Sequence, residues 1–381
     1  MSVRVDHVIV TSPWDPASPR SWSGVVLPMM ESLRDEFERV DFVPAGTETA
    51  LIDRALARLH GLRDRTHLPA WSAPTARRRS RRVADALRTL PRDAPIIGIA
   101  ATPELLDVPS SRRIVQVTDS SFAALADTYP DLARVPAHVR RGALRIEREV
   151  AGRTESFVVA SAWSRERLLD DLEIRPSRVR VARLGPGVRS LPGVVRPPRP
   201  QDAPLRLLFV ASDWRRKGGD IAVSAVDELR RRGHDVRLTV VGDAVPPLPE
   251  HVLRAGRLRR EQMSSAYLTH DVLLEPSRAS AGGVVVTDAL HHGLPVLAAA
   301  TGGLTDLVID SSSGWLIADD GAPGPFIKAV EERVLTSDLA SYSDNAARWA
   351  ADNADWRGWA RSVRAAIEGF NDTRDEGEMT R

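Results

Sequence analysis

At 381 residues the chain exceeds the size at which one hydrophobic core stops growing, so two domains are expected. Its 53 Lys and Arg against 51 Asp and Glu leave a net charge of +2, too little to favour nucleic acid as a partner. The absence of cysteine excludes disulfides and thiol chemistry. With no signal-peptide core in the first residues and no run of roughly 20 apolar residues, the expectation is a cytoplasmic protein with at most peripheral membrane contact.

Short apolar runs alternate with helical segments along the whole chain, the pattern of parallel sheets covered by helices. In the first half the pattern predicts strands at 5–11, 39–43, 96–100, 113–117, 156–160 and 178–184, and helices at 24–37, 76–90, 139–153 and 164–172. Prolines 192, 197, 198, 200 and 204 then interrupt the pattern, and mark 189–204 as a linker and hinge. A second series predicts strands at 205–211, 236–242, 271–274, 295–299 and 314–317, with helices at 219–232, 260–268, 284–292 and 325–335. The expected fold class is therefore α/β, two Rossmann-like doubly wound domains facing a central cleft, with ligands at the C-terminal ends of the strands. The domains are expected at 1–188 and at 205–355. A helix at 356–370 follows, with bracing of both domains as one role open to it, and a polar tail, 371–381, expected to be disordered. Trp349, Trp356 and Trp359 are spaced for one helical face, where core packing is the first reading and ligand stacking the second.

Chemistry concentrates in a few loops. The stretch 275–296 reads as strand end, glycine turn, helix and new strand. Gly282 and Gly283 lack a Cβ, and the first amides of the helix, those of Val284 and Val285, would meet an anion such as a diphosphate. Asp288 is placed to accept hydrogen bonds from a ribose; the alternative is a helix that merely packs on its sheet. The loop Ser212–Lys217 follows the first strand of the second domain. Arg215, Arg216 and Lys217 there offer a guanidinium fork and a point charge to the same diphosphate, or else form a solvated basic loop.

In the first domain a proline-rich loop, 13–24, ends at a helix start. Ser23 could cap that helix, while Gly24 admits a sugar or phosphate to its first amides. Asp119, after the strand 113–117, could bind a substrate hydroxyl or cap the helix that follows. Arg63, Arg65, Arg77, Arg78, Arg79, Arg81 and Arg82, with Leu68 and Trp71 among them, make 63–82 either a peripheral membrane-binding segment or an exposed basic helix. The nine histidines are scattered without ligand spacing, and no metal is assigned.

Taken together, Arg216-Lys217-Gly218-Gly219, Val240-Val241-Gly242, Gly256-Arg257-Leu258, Pro276-Ser277, Gly293-Leu294-Pro295-Val296-Leu297-Ala298 and Thr301-Gly302-Gly303 resemble the retaining nucleotide-sugar glycosyltransferases of family 4, which have the GT-B fold. Trp22-Ser23-Gly24, the segment 118–122 with Tyr129-Pro130, and Ser161-Ala162-Trp163 are similar to one branch of that family. The resemblance implies transfer of a hexose-type sugar from a nucleoside diphosphate sugar to a hydroxyl acceptor, with retention and with no metal or other cofactor. It implies Arg216 and Lys217 as the diphosphate ligands and, with Asp119, as the catalytic residues. Gly24, Ser212, Arg215, Ser280, Gly282, Gly283, Val284, Val285 and Asp288 are implied as donor-binding residues. The family's two glutamates, for sugar and ribose, align with Ser280 and Asp288, so one carboxylate is missing here and the other is a methylene shorter. Ser212 stands where the family often has arginine, and Thr118 and Asp119 where it often has histidine. Two rivals accompany this reading: a non-catalytic GT-B sugar- or partner-binding protein, which the loss of a carboxylate at Ser280 would suit, and a nucleotide-sugar epimerase, for which no acidic catalytic pattern is present.

Overall fold

The computed structural model describes residues 5–18, 21–61, 66–190, 196, 203–211, 213–243, 245–318 and 321–378. The chain divides into two compact units, one of Met1–Arg183 with Trp356–Arg381 and one of Leu184–Asp355. Most of the expected linker, and Ser212, lie outside the described residues. Among the described residues no helix is long and apolar enough to cross a membrane.

The first unit is built on six parallel strands: β1 (His7–Ser12), β2 (Arg39–Pro44), β3 (Ile96–Ile99), β4 (Ile114–Thr118), β5 (Ser156–Val159) and β6 (Val179–Val181), in the order β2-β1-β3-β4-β5-β6. Val8, Ile9, Ile96, Ile97, Val115 and Val158 are fully buried, as expected for strands covered on both faces. The second unit repeats the design with β7 (Leu205–Val210), β8 (Val236–Val241), β9 (Val252–Gly256), β10 (Val272–Glu275), β11 (Val296–Ala299) and β12 (Gly314–Ile317), ordered β12-β11-β10-β7-β8-β9. The strand order reverses between β1 and β3 in the first sheet and between β7 and β10 in the second. In open parallel sheets the crevice beyond such a reversal is where ligands bind.

The chain departs from its sequence reading in specific places. A helix at Leu51–Gly61 and the edge strand β9 are both unforeseen. β9 buries only Val252 and leaves Leu253 exposed, so no apolar run marks it. Ser23 does not cap a helix: its φ is 61°, and the helix starts at Val26 with no side-chain cap. The helix after β4 is capped by Ser121, whose side chain accepts from the Ala124 amide, so Asp119 is not its cap. The tryptophans do not share one helical face, because a break after Asn353 puts Trp349 on the helix Leu339–Asn353 and the other two on Trp356–Glu378. That last helix continues through Glu378 where disorder was expected from residue 371. Polar composition limits burial but not helicity, and the packed turns before it supply the nucleus.

Candidate functional site

In the second unit, the loops after β7 and β10 flank the strand reversal and are laced together. The Arg278 amide donates to the Arg216 carbonyl at 2.8 Å, and the Arg278 guanidinium donates to the Arg215 carbonyl at 2.8 Å. Gly218, with φ of 73°, lies so close to Pro276 that a Cβ would sit 2.1 Å from its carbonyl oxygen. Two motifs about sixty residues apart in sequence thus meet in one wall of packed backbone.

Within this wall the predicted residues have distinct settings. Arg215 is exposed. Arg216 donates to Asp213 Oδ2 at 3.2 Å and to the Ala279 carbonyl at 3.1 Å. Lys217 is buried, with Nζ 2.6 Å from Glu275 Oε1, and that carboxylate also accepts from Ser277 Oγ. Sequence reasoning missed Glu275, since a carboxylate at a strand end carries no signature until the fold sets a lysine beside it. Gly283 precedes the helix Val284–His291 in a left-handed conformation, φ 59°, and a Cβ there would strike Leu307. The amides of Val286 and Thr287 return to the Gly283 carbonyl, at 2.8 and 3.0 Å, whereas those of Val284 and Val285 precede the ladder. Ser280 is buried, and its carbonyl accepts from the Gly303 amide at 2.9 Å.

Asp288 faces inward. Its Oδ1 accepts from the amides of Gly187 and Val188 at 2.6 and 3.0 Å, and its Oδ2 meets the Tyr267 hydroxyl at 3.5 Å. Burial pushes this carboxyl up to about 7 despite those bonds. Residues 184–188 therefore belong with the second unit rather than with the first, where the sequence reading put them.

In the first unit, a cavity of about 400 Å³ lies at the β1/β3 reversal, lined by the loops after β1, β2, β3 and β4. Asp119 lines it and accepts at Oδ2 from Trp22 Nε1, 3.1 Å away. Trp22 directly precedes Ser23 and Gly24, so the indole ties two separately predicted loops together. The cavity is bordered by a buried ion pair, Arg79 Nη1 to Glu104 Oε1 at 3.0 Å. Arg79 is one of the arginines of the basic segment, yet it turns inward, because Ala76, Arg79, Ser80 and Val83 share the buried face of the helix Ala73–Ala86. Its remaining donors reach the carbonyls of Glu48 and Thr47, both at 2.9 Å. Burial raises the Glu104 carboxyl above its ordinary range, the arginine notwithstanding. Sequence reasoning missed Arg79 and Glu104 as a pair, and Trp14 and Trp71 as walls.

Two doubly wound parallel sheets, each with its loops gathered at a strand reversal, define a GT-B protein. Residues 204–335, within the second unit, match the family Glycosyl transferases group 1. It is 26% identical over 219 residues to the D-inositol 3-phosphate glycosyltransferase of Paenarthrobacter aurescens (strain TC1), covering 54% of this chain and 52% of the relative. The chain thus spans about half the length of that curated relative. Among solved structures it is similar to the sucrose-phosphate synthase tll1590 from Thermosynechococcus elongatus, with TM-score 0.71, 15% identity, and coverage of 97% of this chain and 100% of the other. It is also similar to Anabaena Alr3699/HepE in complex with UDP, with TM-score 0.67, 15% identity, and coverage of 95% and 100%. At such identities these two likenesses establish the fold.

Proposed function

We propose that the chain is a glycosyltransferase that moves a hexose-type sugar from a nucleoside diphosphate sugar to a hydroxyl acceptor, with retention at the anomeric carbon and without a metal. The observation that supports this reading is the lacing of the loops after β7 and β10, in which Arg278 donates to the carbonyls of Arg215 and Arg216, inside the matched segment. A structural neighbour solved with UDP supports a nucleoside diphosphate as donor. In the reaction the bond from the anomeric carbon to the diphosphate oxygen breaks, the acceptor oxygen bonds to that carbon, and the acceptor proton leaves with the diphosphate. Charge builds on the departing oxygens, where fixed cations and amides stabilise it at little reorganisation cost. The roles proposed are the ribose for Asp288, the donor sugar for Ser280, and orientation of the sugar or acceptor for Asp119 with Gly24.

Replacing Arg216 and Lys217 together by Ala is expected to lower nucleotide release from the matching donor by at least about a hundredfold, two charge-assisted contacts being worth roughly 3 kcal/mol or more. A panel of UDP, GDP, ADP and dTDP sugars, scored by thermal stabilisation, identifies that donor. Unchanged turnover in the double variant would refute the assignment. One observation favours a second reading, a non-catalytic binding protein: the hydroxyl of Ser280 stands where a carboxylate is implied. Calorimetry on the natural chain and on Ser280→Glu separates the two, since no nucleotide-sugar binding in either form would support the binding protein.

The proposal includes peripheral contact with an anionic membrane. The helix Leu51–Gly61 exposes Leu51, Ile52 and Leu59 beside Arg54 and Arg58, and Asp53 joins it to Ser72 and Thr75 at the start of a helix that exposes Arg77, Arg78, Arg81 and Arg82. Apolar side chains ringed by arginine suit a headgroup interface. Arg63 and Arg65 lie outside the described residues. Co-sedimentation with phosphatidylserine vesicles but not with phosphatidylcholine vesicles is expected, and equal recovery with both would count against it.

A further inference from the structure

We infer that Glu275 is a positioning residue: it holds the Lys217 ammonium in place for a nucleoside diphosphate, without touching the nucleotide itself. The inference rests on the reading that Lys217 binds the diphosphate, and gives that site a second, buried member.

The backbone on either side of Lys217 is fixed by its own turns. The Lys217 amide donates to the Asp213 carbonyl at 2.9 Å, and the Gly219 amide to the Trp214 carbonyl at 2.9 Å. Gly218, between the two, is left-handed with φ of 73° and packs on Pro276. What the turns leave unfixed is the lysine side chain, a flexible stem with many rotamers. Among the described residues its hydrogen-bond partner is Glu275, the last residue of β10, whose Oε1 lies 2.6 Å from Nζ. The same oxygen accepts from Ser277 Oγ, which ties the carboxylate to the loop that follows its strand. An ammonium carries three N–H groups, and this contact uses one. The lysine side chain keeps 6% of its surface and the glutamate side chain none, so of the pair the lysine alone can meet a ligand.

Stability does not account for the pair. Withdrawing two charges from water is costly even when they meet, and a neutral pair of similar shape often serves the fold as well. Glu275 Oε2 adds to that cost, because it is buried without a hydrogen-bond partner. What the arrangement supplies is order. The ammonium is set at the end of β10, next to β7 in the sheet, before any anion arrives, so binding does not have to immobilise it.

Calorimetry on the full chain with UDP, GDP, ADP and dTDP selects the nucleoside diphosphate that binds most tightly, and a double-variant cycle with that probe tests the inference. Glu275→Gln is expected to weaken binding at least about tenfold, and Lys217→Met at least as much. Beside Lys217→Met, Glu275→Gln should weaken it by less than a further factor of about two, since nothing is left to position. Glu275→Gln also leaves the ammonium buried without its countercharge, so Glu275→Asp, which keeps the charge one methylene further back, is carried through the same cycle. It is expected to weaken the probe at least about threefold alone and not at all beside Lys217→Met. Affinities are read on variants that melt cooperatively without nucleotide. Losses that multiply in both double variants would overturn the inference, because the carboxylate would then act on its own or through the fold at large. Undiminished affinity in Glu275→Gln and Glu275→Asp, with a loss in Lys217→Met, would overturn it and leave the lysine's assignment standing. Undiminished affinity in Lys217→Met, or no binding of any of the four probes to the folded chain, would remove the diphosphate reading and the inference together.

Discussion

Asp288 joins stability to pH through one carboxyl. Three hydrogen bonds favour its charged form, yet removal from water outweighs them and lifts it to about 7 from the ordinary 3.8. The charged groups around it add little: Arg260 lowers its value, Tyr267 is itself held well above its usual range by burial and by Asp288, and burial holds His292 below its own. Because the folded value exceeds the unfolded one, the folded state binds more protons between the two. The stabilisation is fully present below about pH 4 and lost as pH rises to 7, by an amount on the order of 4 kcal/mol at most. Asp288→Asn keeps an acceptor for the amides of Gly187 and Val188 and removes the titration. Urea unfolding at pH 4.5 and 7.5 is therefore expected to show the natural chain losing stability relative to the variant as pH rises. Parallel curves for the two proteins would rule this out. The sequence marks Asp288 as a helix-borne carboxylate near a glycine turn. That it looks inward to residues 187 and 188 depends on helix register against a distant segment, which local pattern does not encode.

The elements most legible in the sequence are those whose pattern follows from burial on both faces. β4, β10 and β11 read as apolar runs, and the helices Gly219–Arg231 and Val284–His291 begin at the glycines that end the preceding loops. Less legible are elements made by context. β9 is a strand because β8 offers it a ladder, and Arg79 is a core residue because its helix turns it toward Glu104. The basic loop and the glycine turn could each be read, but their lacing could not. It requires backbone approach at Gly218, where φ is 73° and a Cβ would meet the Pro276 carbonyl at 2.1 Å. Gly218→Ala is thus expected to cost about 2–4 kcal/mol, from the left-handed conformation and the displacement of backbone. Gly142→Ala, inside the helix Ala137–Ala151 with nothing within 4 Å of the added carbon, should gain about 0.5–1 kcal/mol. Thermal unfolding of both variants checks the pair, and a neutral Gly218→Ala would mean that the two loops are not held as described.

At the scale of the whole chain, the least legible feature is where the last helix belongs. Trp356–Glu378 follows the second unit in sequence, yet it is part of the first. Trp359, Ala360, Val363, Ala366 and Ile367 are buried, Arg113 donates to the Ile367 carbonyl at 2.7 Å, and Ser156 Oγ donates to that of Ala366 at 2.9 Å. Arg364 meets Glu36 at 2.6 Å and lies 4.3 Å over the Phe37 ring, while Glu368 accepts from the Val5 amide at 3.3 Å. The period of the helix shows that one face is apolar but not which sheet it covers, since the choice is settled by contacts more than two hundred residues apart. The first unit is accordingly a discontinuous domain closed by its own C-terminal segment. Removing that segment takes away several large buried side chains, each worth roughly 1.5–3 kcal/mol, against a total margin for a domain of about 5–15 kcal/mol. A chain ended at Asp355 is therefore expected to lose amide protection across β1–β6 while β7–β12, which belong to the other unit, keep theirs. Hydrogen exchange read by mass spectrometry distinguishes the two sheets directly. Full protection at β5, the strand whose Ser156 bonds the lost helix, would show that the first unit closes without it.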